Sequence, residues 1–170
     1  MHRLFFFDEG RFGLHTEHGR LWALRGVRPV APTAIGYQNF YIYSAVSPLD
    51  GEIFSLFLPW VNTEMMNLYL ARFSEAYARH RITLILDRAA WHCSSTLDIP
   101  DNLELIHLPS YSPELNPTEK LWQWLRRHVT RNRLFASDRA LENALAQALR
   151  HQTRRERQRL CRCSYLSNIN

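Results

Sequence analysis

Two stretches of this 170-residue chain, Leu4-Phe5-Phe6-Phe7 and Ile82-Thr83-Leu84-Ile85-Leu86, run without polar alternation, and each stops at an aspartate, Asp8 and Asp87. A half-exposed strand alternates polar with apolar residues, whereas a continuous β-branched, aliphatic or aromatic run belongs to a strand covered on both faces. The spacing predicts buried strands over Arg3–Asp8 and Arg81–Leu86, with the two acids emerging at the carboxyl edge of a sheet.

The rest of the chain supplies the cover. Leu21–Leu24, after a turn at Glu17-His18-Gly19-Arg20, reads as a second strand, followed by a loop with Gly26, Pro29 and Pro32. Asn39–Val46 and Ile53–Leu58 are β-rich, joined by the turn Ser47-Pro48-Leu49-Asp50-Gly51. Thr63 is the expected cap of a helix running to about Arg79 with Met65, Leu68, Tyr69, Phe73, Ala76 and Tyr77 as its apolar stripe. Ala89–Leu97 reads as a short helix, Leu103–His107 as a short strand, and Leu108–Pro113 as an irregular loop. Asn116-Pro117-Thr118-Glu119 has the marks of a helix start, with Leu121, Trp122, Leu125 and Val129 as the buried face. A last helix, from about Ser137 to Arg150, is capped by Ser137 or Asp138 and buries Leu141, Ala144, Leu145, Ala148 and Leu149. This order predicts the α/β class, a mixed central sheet with helices on both faces.

Composition narrows the function. With 46% hydrophobic residues the chain can build one substantial core. No stretch approaches the roughly 20 apolar residues of a membrane span, and the charged first twenty residues do not resemble a secretion signal, so a cytoplasmic protein with no membrane partner is expected. Three cysteines, Cys93, Cys161 and Cys163, form no disulfide framework, and Cys161 and Cys163 near His151 match no common zinc spacing. A net charge of +5 favours a polyanionic partner. Six arginines between Arg150 and Arg162 face only Glu156, a density suited to phosphates and equally to a solvated helix face.

Acids at the carboxyl ends of neighbouring strands converge on the crevice where α/β sheets bind ligands. Asp8 and Asp87, with a third acid from a helix, form a hard oxygen donor set suited to Mg²⁺ or Mn²⁺, and two such ions can activate and neutralise the oxygens of a phosphodiester. Each acid also has an ordinary explanation: Asp8 capping a turn, Asp87 starting a helix, Glu119 closing a capping box with Asn116.

Three segments tip this balance. Phe5-Phe6-Phe7-Asp8-Glu9, Leu84-Ile85-Leu86-Asp87-Arg88-Ala89-Ala90-Trp91-His92, and the long string from Leu108-Pro109-Ser110-Tyr111-Ser112-Pro113 through Glu114-Leu115-Asn116-Pro117-Thr118-Glu119-Lys120-Leu121-Trp122 resemble the mariner-type superfamily of DDE transposases, in its bacterial insertion-sequence branch. The resemblance covers about residues 3–150. It implies a ribonuclease H-like catalytic domain over 1–150, with 151–170 as a basic C-terminal tail. It also implies that Asp8, Asp87 and Glu119 hold two divalent ions, Mg²⁺ with Mn²⁺ as substitute, for DNA strand cleavage and strand transfer in cut-and-paste transposition. Glu114 is the rival third ligand. Arg88 stands where relatives often have Asn or Gly, and Thr118 where an apolar residue is usual.

The implied partner is double-stranded DNA, both transposon ends and target, and synapsis of two ends implies a homodimer. Relatives usually carry helix-turn-helix modules before the catalytic domain, yet seven residues precede Asp8, which leaves open a separately encoded or frameshifted half, a truncated remnant and an isolated catalytic domain; the first adds a separately encoded helix-turn-helix half to the expected partners. Bound to DNA, such a protein associates with the nucleoid. Candidate nucleic-acid contacts are Arg88, His92, Arg154, Arg155, Arg157 and Arg159. His92 has packing as its alternative, and Trp91, Trp122 and Trp124 divide between base stacking and core. Two other functions stay open: a catalytically silent DNA-binding or assembly module, and another ribonuclease H-like nuclease.

Overall fold

The structure is a computed structural model describing residues 1–20, 22–26, 30, 33 and 39–166. Its centre is a five-stranded sheet in the order β3-β2-β1-β4-β5, built from β1 (His2–Gly13), β2 (Asn39–Val46), β3 (Ile53–Leu58), β4 (Arg81–Leu86) and β5 (Leu103–His107). β1 pairs antiparallel with β2, and β2 with β3, while β1, β4 and β5 run parallel. The mixed α/β architecture expected from the sequence is thus present. Leu21, Pro29 and Pro32 lie outside the described residues. The rest of the expected second strand, Trp22–Leu24, is exposed and belongs to no strand.

β1 is longer than the apolar run suggested. Asp8 does not end it; the strand continues to Gly13, paired with β2 throughout from Phe6↔Val46 to Gly13↔Asn39. What stops near Asp8 is the other neighbour. The β1–β4 register ends at Phe6↔Ile85, and carried two residues further it sets Asp8 level with Asp87, which directly follows β4. The acid looked terminal because the later residues alternate, Phe12 going to the core while Arg11 stays exposed.

The pleat divides β1 between two cores. Phe5 and Phe7 join Tyr43, Ala45, Ile82, Leu84 and Leu86 under helix α1 (Thr63–Ala76). Phe12 joins Phe40, Ile42 and Val46 on the opposite face, under α2 (Thr118–Leu125) and α3 (Asp138–His151). α1 is capped by Asn62, whose Oδ1 accepts from Met65 N at 2.8 Å, so the expected cap Thr63 is its first residue. Its stripe is Met66, Tyr69, Leu70 and Phe73; Leu68 and Ala76 are exposed. Ser137 caps α3 as expected, and Leu141, Leu145 and Leu149 are its buried face.

α2 passes into one π-helical turn, Arg126–Thr130, that buries Val129. Residues 154–160, read from the sequence as basic tail, form a docked helix, α4 (Arg154–Leu160), opened by a Thr153–Glu156 capping box. Among the described residues no helix is long and apolar enough to cross a membrane.

Candidate active site

Asp8, Asp87 and Glu119 line one open cavity of about 390 Å³, together with Arg88, Asn116 and the loop Leu108–Pro113. β1 and β4 deliver the aspartates side by side. Glu119 arrives from the first turn of α2, which is fastened to β1 by two side chains: Asn116 Nδ2 donates to the Phe7 carbonyl at 2.8 Å and Thr118 Oγ1 to the Phe6 carbonyl at 2.9 Å. Both side chains are buried. Thr118 supplies a hydroxyl where an apolar side chain would leave the Phe6 carbonyl without that donor.

The sequence allowed Glu119 to close a capping box, and it does not. Pro117 is the cap position of α2, Asn116 Oδ1 accepts from Thr118 N at 3.1 Å, and Asn116 N donates to Pro113 O at 2.9 Å. No hydrogen bond from a described residue engages the Glu119 carboxylate. Its rival Glu114 is exposed and lines a different cavity, beside Lys120, Arg162 and Tyr165.

Each aspartate is gripped by a ring nitrogen. Trp122 Nε1 donates to Asp8 Oδ2 at 2.8 Å. Asp87 Oδ1 accepts from Ala89 N at 3.0 Å and lies 2.7 Å from His92 Nδ1. The other imidazole nitrogen, Nε2, lies 2.8 Å from Glu9 Oε1, which also accepts from Trp91 Nε1 at 2.9 Å. Adjacent in sequence, Asp8 and Glu9 point to opposite faces of the sheet, one toward Trp122 and the other toward His92.

These contacts set the charges. Burial pushes the Asp8 carboxyl up to about 7, helped by the nearby charges of Glu9 and Glu119 and opposed by the Trp122 N–H. The hydrogen bond from His92 leads in holding Asp87 below its ordinary value, against a smaller effect of burial. Burial disfavours a charged His92, but the Asp87 and Glu9 carboxylates outweigh it and raise the imidazole to about 9.

The donor set is chemically apt for a hard divalent cation: three carboxylates on one cavity, one of them free of hydrogen bonds from described residues. The side chains are not closed around a point, since among the described residues no three His, Cys, Asp or Glu are gathered tightly enough to hold an ion. That statement also covers Cys161, Cys163 and His151; both cysteines are buried, and burial raises the Cys161 thiol to about 12.

Among the expected nucleic-acid contacts, Arg88, Arg154, Arg155 and Arg159 are exposed, with Arg154 also paired to Glu52 at 2.6 Å. Two are corrected. His92 is 2% exposed and turned inward to Asp87 and Glu9. Arg157 is buried, donating from Nε to Gly51 O at 2.7 Å and from Nη1 to the Leu149 and Gln152 carbonyls, so its guanidinium welds α4 to the β2–β3 turn. Trp124 stacks on His128 at 4.7 Å, and Trp91 and Trp122 spend their N–H groups inside the protein. The sequence reading missed Glu9 and the aspartate-holding role of Trp122. The latter carried a signal, because Trp122 follows Glu119 by three residues and so shares its helix face.

The chain is similar to several known proteins. A protein of Sinorhizobium fredii described as uncharacterized y4pE/y4sA is 43% identical over 97 residues, 56% of this chain and 71% of that protein. The insertion element IS630 39 kDa protein of Shigella sonnei is 30% identical over 141 residues, 80% of this chain and 41% of the relative. Among solved structures, the Mos1 mariner paired-end complex with Mn superposes with a TM-score of 0.74 at 18% identity, and the Mos1 strand transfer complex with 0.72 at 16%. Each covers 94% of this chain, which spans about half of the Mos1 chains, and the shared fold is ribonuclease H-like. Residues 3–142 match the family model described as DDE superfamily endonuclease, and the chain belongs to that family.

Proposed function

We propose that this chain is the catalytic domain of a cut-and-paste transposase, cleaving DNA at transposon ends and joining the freed ends to target DNA. Asp8, Asp87 and Glu119 are the residues that hold two divalent ions, Mg²⁺ with Mn²⁺ as substitute. Such ions, when bound, supply activation of the attacking oxygen and neutralisation of the leaving oxygen. The observation that carries the reading is the convergence of three acids from β1, β4 and α2 on one cavity. The family membership, the insertion-element relative and the Mos1 complexes with transposon-end DNA and with Mn support it.

The chain's own residues divide the remaining work. Trp122, His92 and Ala89 N fix the planes of the two aspartates, Asn116 and Thr118 set the start of α2, and Arg88 offers a positive charge at the cavity for a phosphate. Arg155 and Arg159 on α4, with Arg154, form the sequence-independent DNA contact. A homodimer, a separately encoded helix-turn-helix half, and residence in the cytoplasm and nucleoid belong to the same proposal. So does the division into a catalytic domain over 1–150 and a basic C-terminal segment.

Calorimetric titration of Mn²⁺ into the wild type and an Asp8→Asn/Asp87→Asn variant is the first test. The expected outcome is binding in the wild type and its loss in the variant, followed by loss of Mn²⁺-dependent strand cleavage in Asp87→Ala. Cleavage retained in Asp87→Ala rejects the assigned site. DNA binding without Mn²⁺ binding by the wild type favours a silent DNA-binding module instead.

A further inference from the structure

The two-residue repeat of β1 puts Asp8, Gly10 and Phe12 on one face of the sheet, and the Trp122 indole lies across all three. Its N–H reaches Asp8 Oδ2 at 2.8 Å, its ring meets Phe12 edge-on with centroids 6.1 Å apart, and it is 1% exposed. Between them, a Cβ at position 10 would stand 2.7 Å from Cδ2 and 2.8 Å from Cε3 of the indole. Gly10 sits inside a strand, where glycine is destabilising by roughly 0.5–1 kcal/mol. Its φ is not in the left-handed region, so conformational freedom does not explain it. Space for the indole, and for the Phe12 ring packed beside it at 2.9 Å from the same Cβ, does.

Burying an indole requires a partner for its N–H, and most side-chain hydrogen bonds go to backbone or water. Here the partner is a carboxylate at the cavity. From these contacts we infer that Trp122 is a positioning residue for Asp8, fixing the carboxylate about its Cβ–Cγ bond, and that Gly10 is the gap that admits it. The inference rests on the proposed metal site and assigns a function to two residues with no ligand role of their own. His92 is the counterpart on the opposite face, gripping Asp87 as Trp122 grips Asp8. Both devices orient a ligand through a neighbour, a kind of support whose removal typically costs 10–100-fold in metal affinity.

The discriminating experiment replaces Trp122 by benzothienylalanine, which keeps the indole outline and puts sulfur in place of the N–H. Mn²⁺ affinity is measured by calorimetry and the fold by urea unfolding, alongside Gly10→Ala and a Phe12→Leu control that loosens the same packing without touching Asp8. The expected result is about a tenfold loss of Mn²⁺ affinity in the isostere and in Gly10→Ala. Phe12→Leu binds like wild type even though its unfolding midpoint drops. An isostere that binds Mn²⁺ like wild type overturns the assignment while leaving the metal site standing. Wild type that binds no Mn²⁺ removes the metal site, and the assignment falls with it.

Discussion

Asp8 and Glu9 are consecutive acids with different roles, because the strand turns one toward Trp122 and the other toward His92. Asp8 has its carboxyl raised from 3.8 to about 7. In the metal-free protein its favourable contribution to stability is complete below about pH 4 and is lost as pH rises through 7. The proposed cation competes with the Asp8 proton, so Mn²⁺ affinity is expected to climb as pH rises towards 7 and to level off above it, with binding below 7 releasing protons; calorimetry in buffers of different ionisation heat measures both. His92 lies above its reference value, at about 9 against 6.5. Its stabilisation is complete below pH 6.5 and disappears as pH rises through 9. Replacing it by Ala leaves Glu9 and Asp87 without their shared partner and is expected to cost roughly 3 kcal/mol near neutrality. The gap between wild type and His92→Ala in urea unfolding should narrow above pH 9, and a constant gap contradicts the ion pairing.

At the scale of elements, the decisive feature is that β1 outruns β4. β1 keeps β2 as a partner to Gly13, while its register with β4 stops at Phe6, which opens the cleft beside Asp8. The start of α2 is fastened there by Asn116 and Thr118. Thr118→Val keeps the shape and removes the hydroxyl that meets Phe6 O. It is expected to cost about 1–3 kcal/mol and to weaken Mn²⁺ binding through displacement of Glu119, measured by urea unfolding and calorimetry. At the far end, α4 is held by Arg157 and by the close approach of Gly51, whose φ is 71° and where a Cβ would fall 1.9 Å from the Arg154 carbonyl. Arg157→Ala leaves buried carbonyls at Gly51, Leu149 and Gln152 without that donor, and a loss of about 2 kcal/mol is expected from urea unfolding. The basic run between Arg150 and Arg162 therefore serves the fold at one position and offers charge to solvent at others.

The described residues form a mixed sheet between two unequal helical layers, with α1 the only α-helix among them against one core and α2, α3 and α4 on the other side. Exposed Arg155 and Arg159 lie on that second layer. Reversing both to Glu is expected to weaken binding to a duplex of arbitrary sequence and to flatten the plot of log K against log salt by about 0.9 for every phosphate that the variant no longer neutralises, measured by fluorescence anisotropy across a salt series. An unchanged slope moves the DNA path elsewhere. Local chemistry alone determined the buried strands β1 and β4, the acids beside them, the Ser137 cap of α3 and the family motif from Leu108 to Trp122. Unbroken apolar runs and capping residues act over a few positions and can be read there. Tertiary structure decided which neighbour stops at Asp8, that Arg157 and His92 face inward, that Glu119 is left free by an unclosed capping box, and that a glycine makes room for Trp122. The unclosed capping box turns on a local competition, Asn116 N going to Pro113 O, but the others depend on atoms brought together from distant parts of the chain, 114 positions apart for Asp8 and Trp122, and no local pattern encodes such a distance.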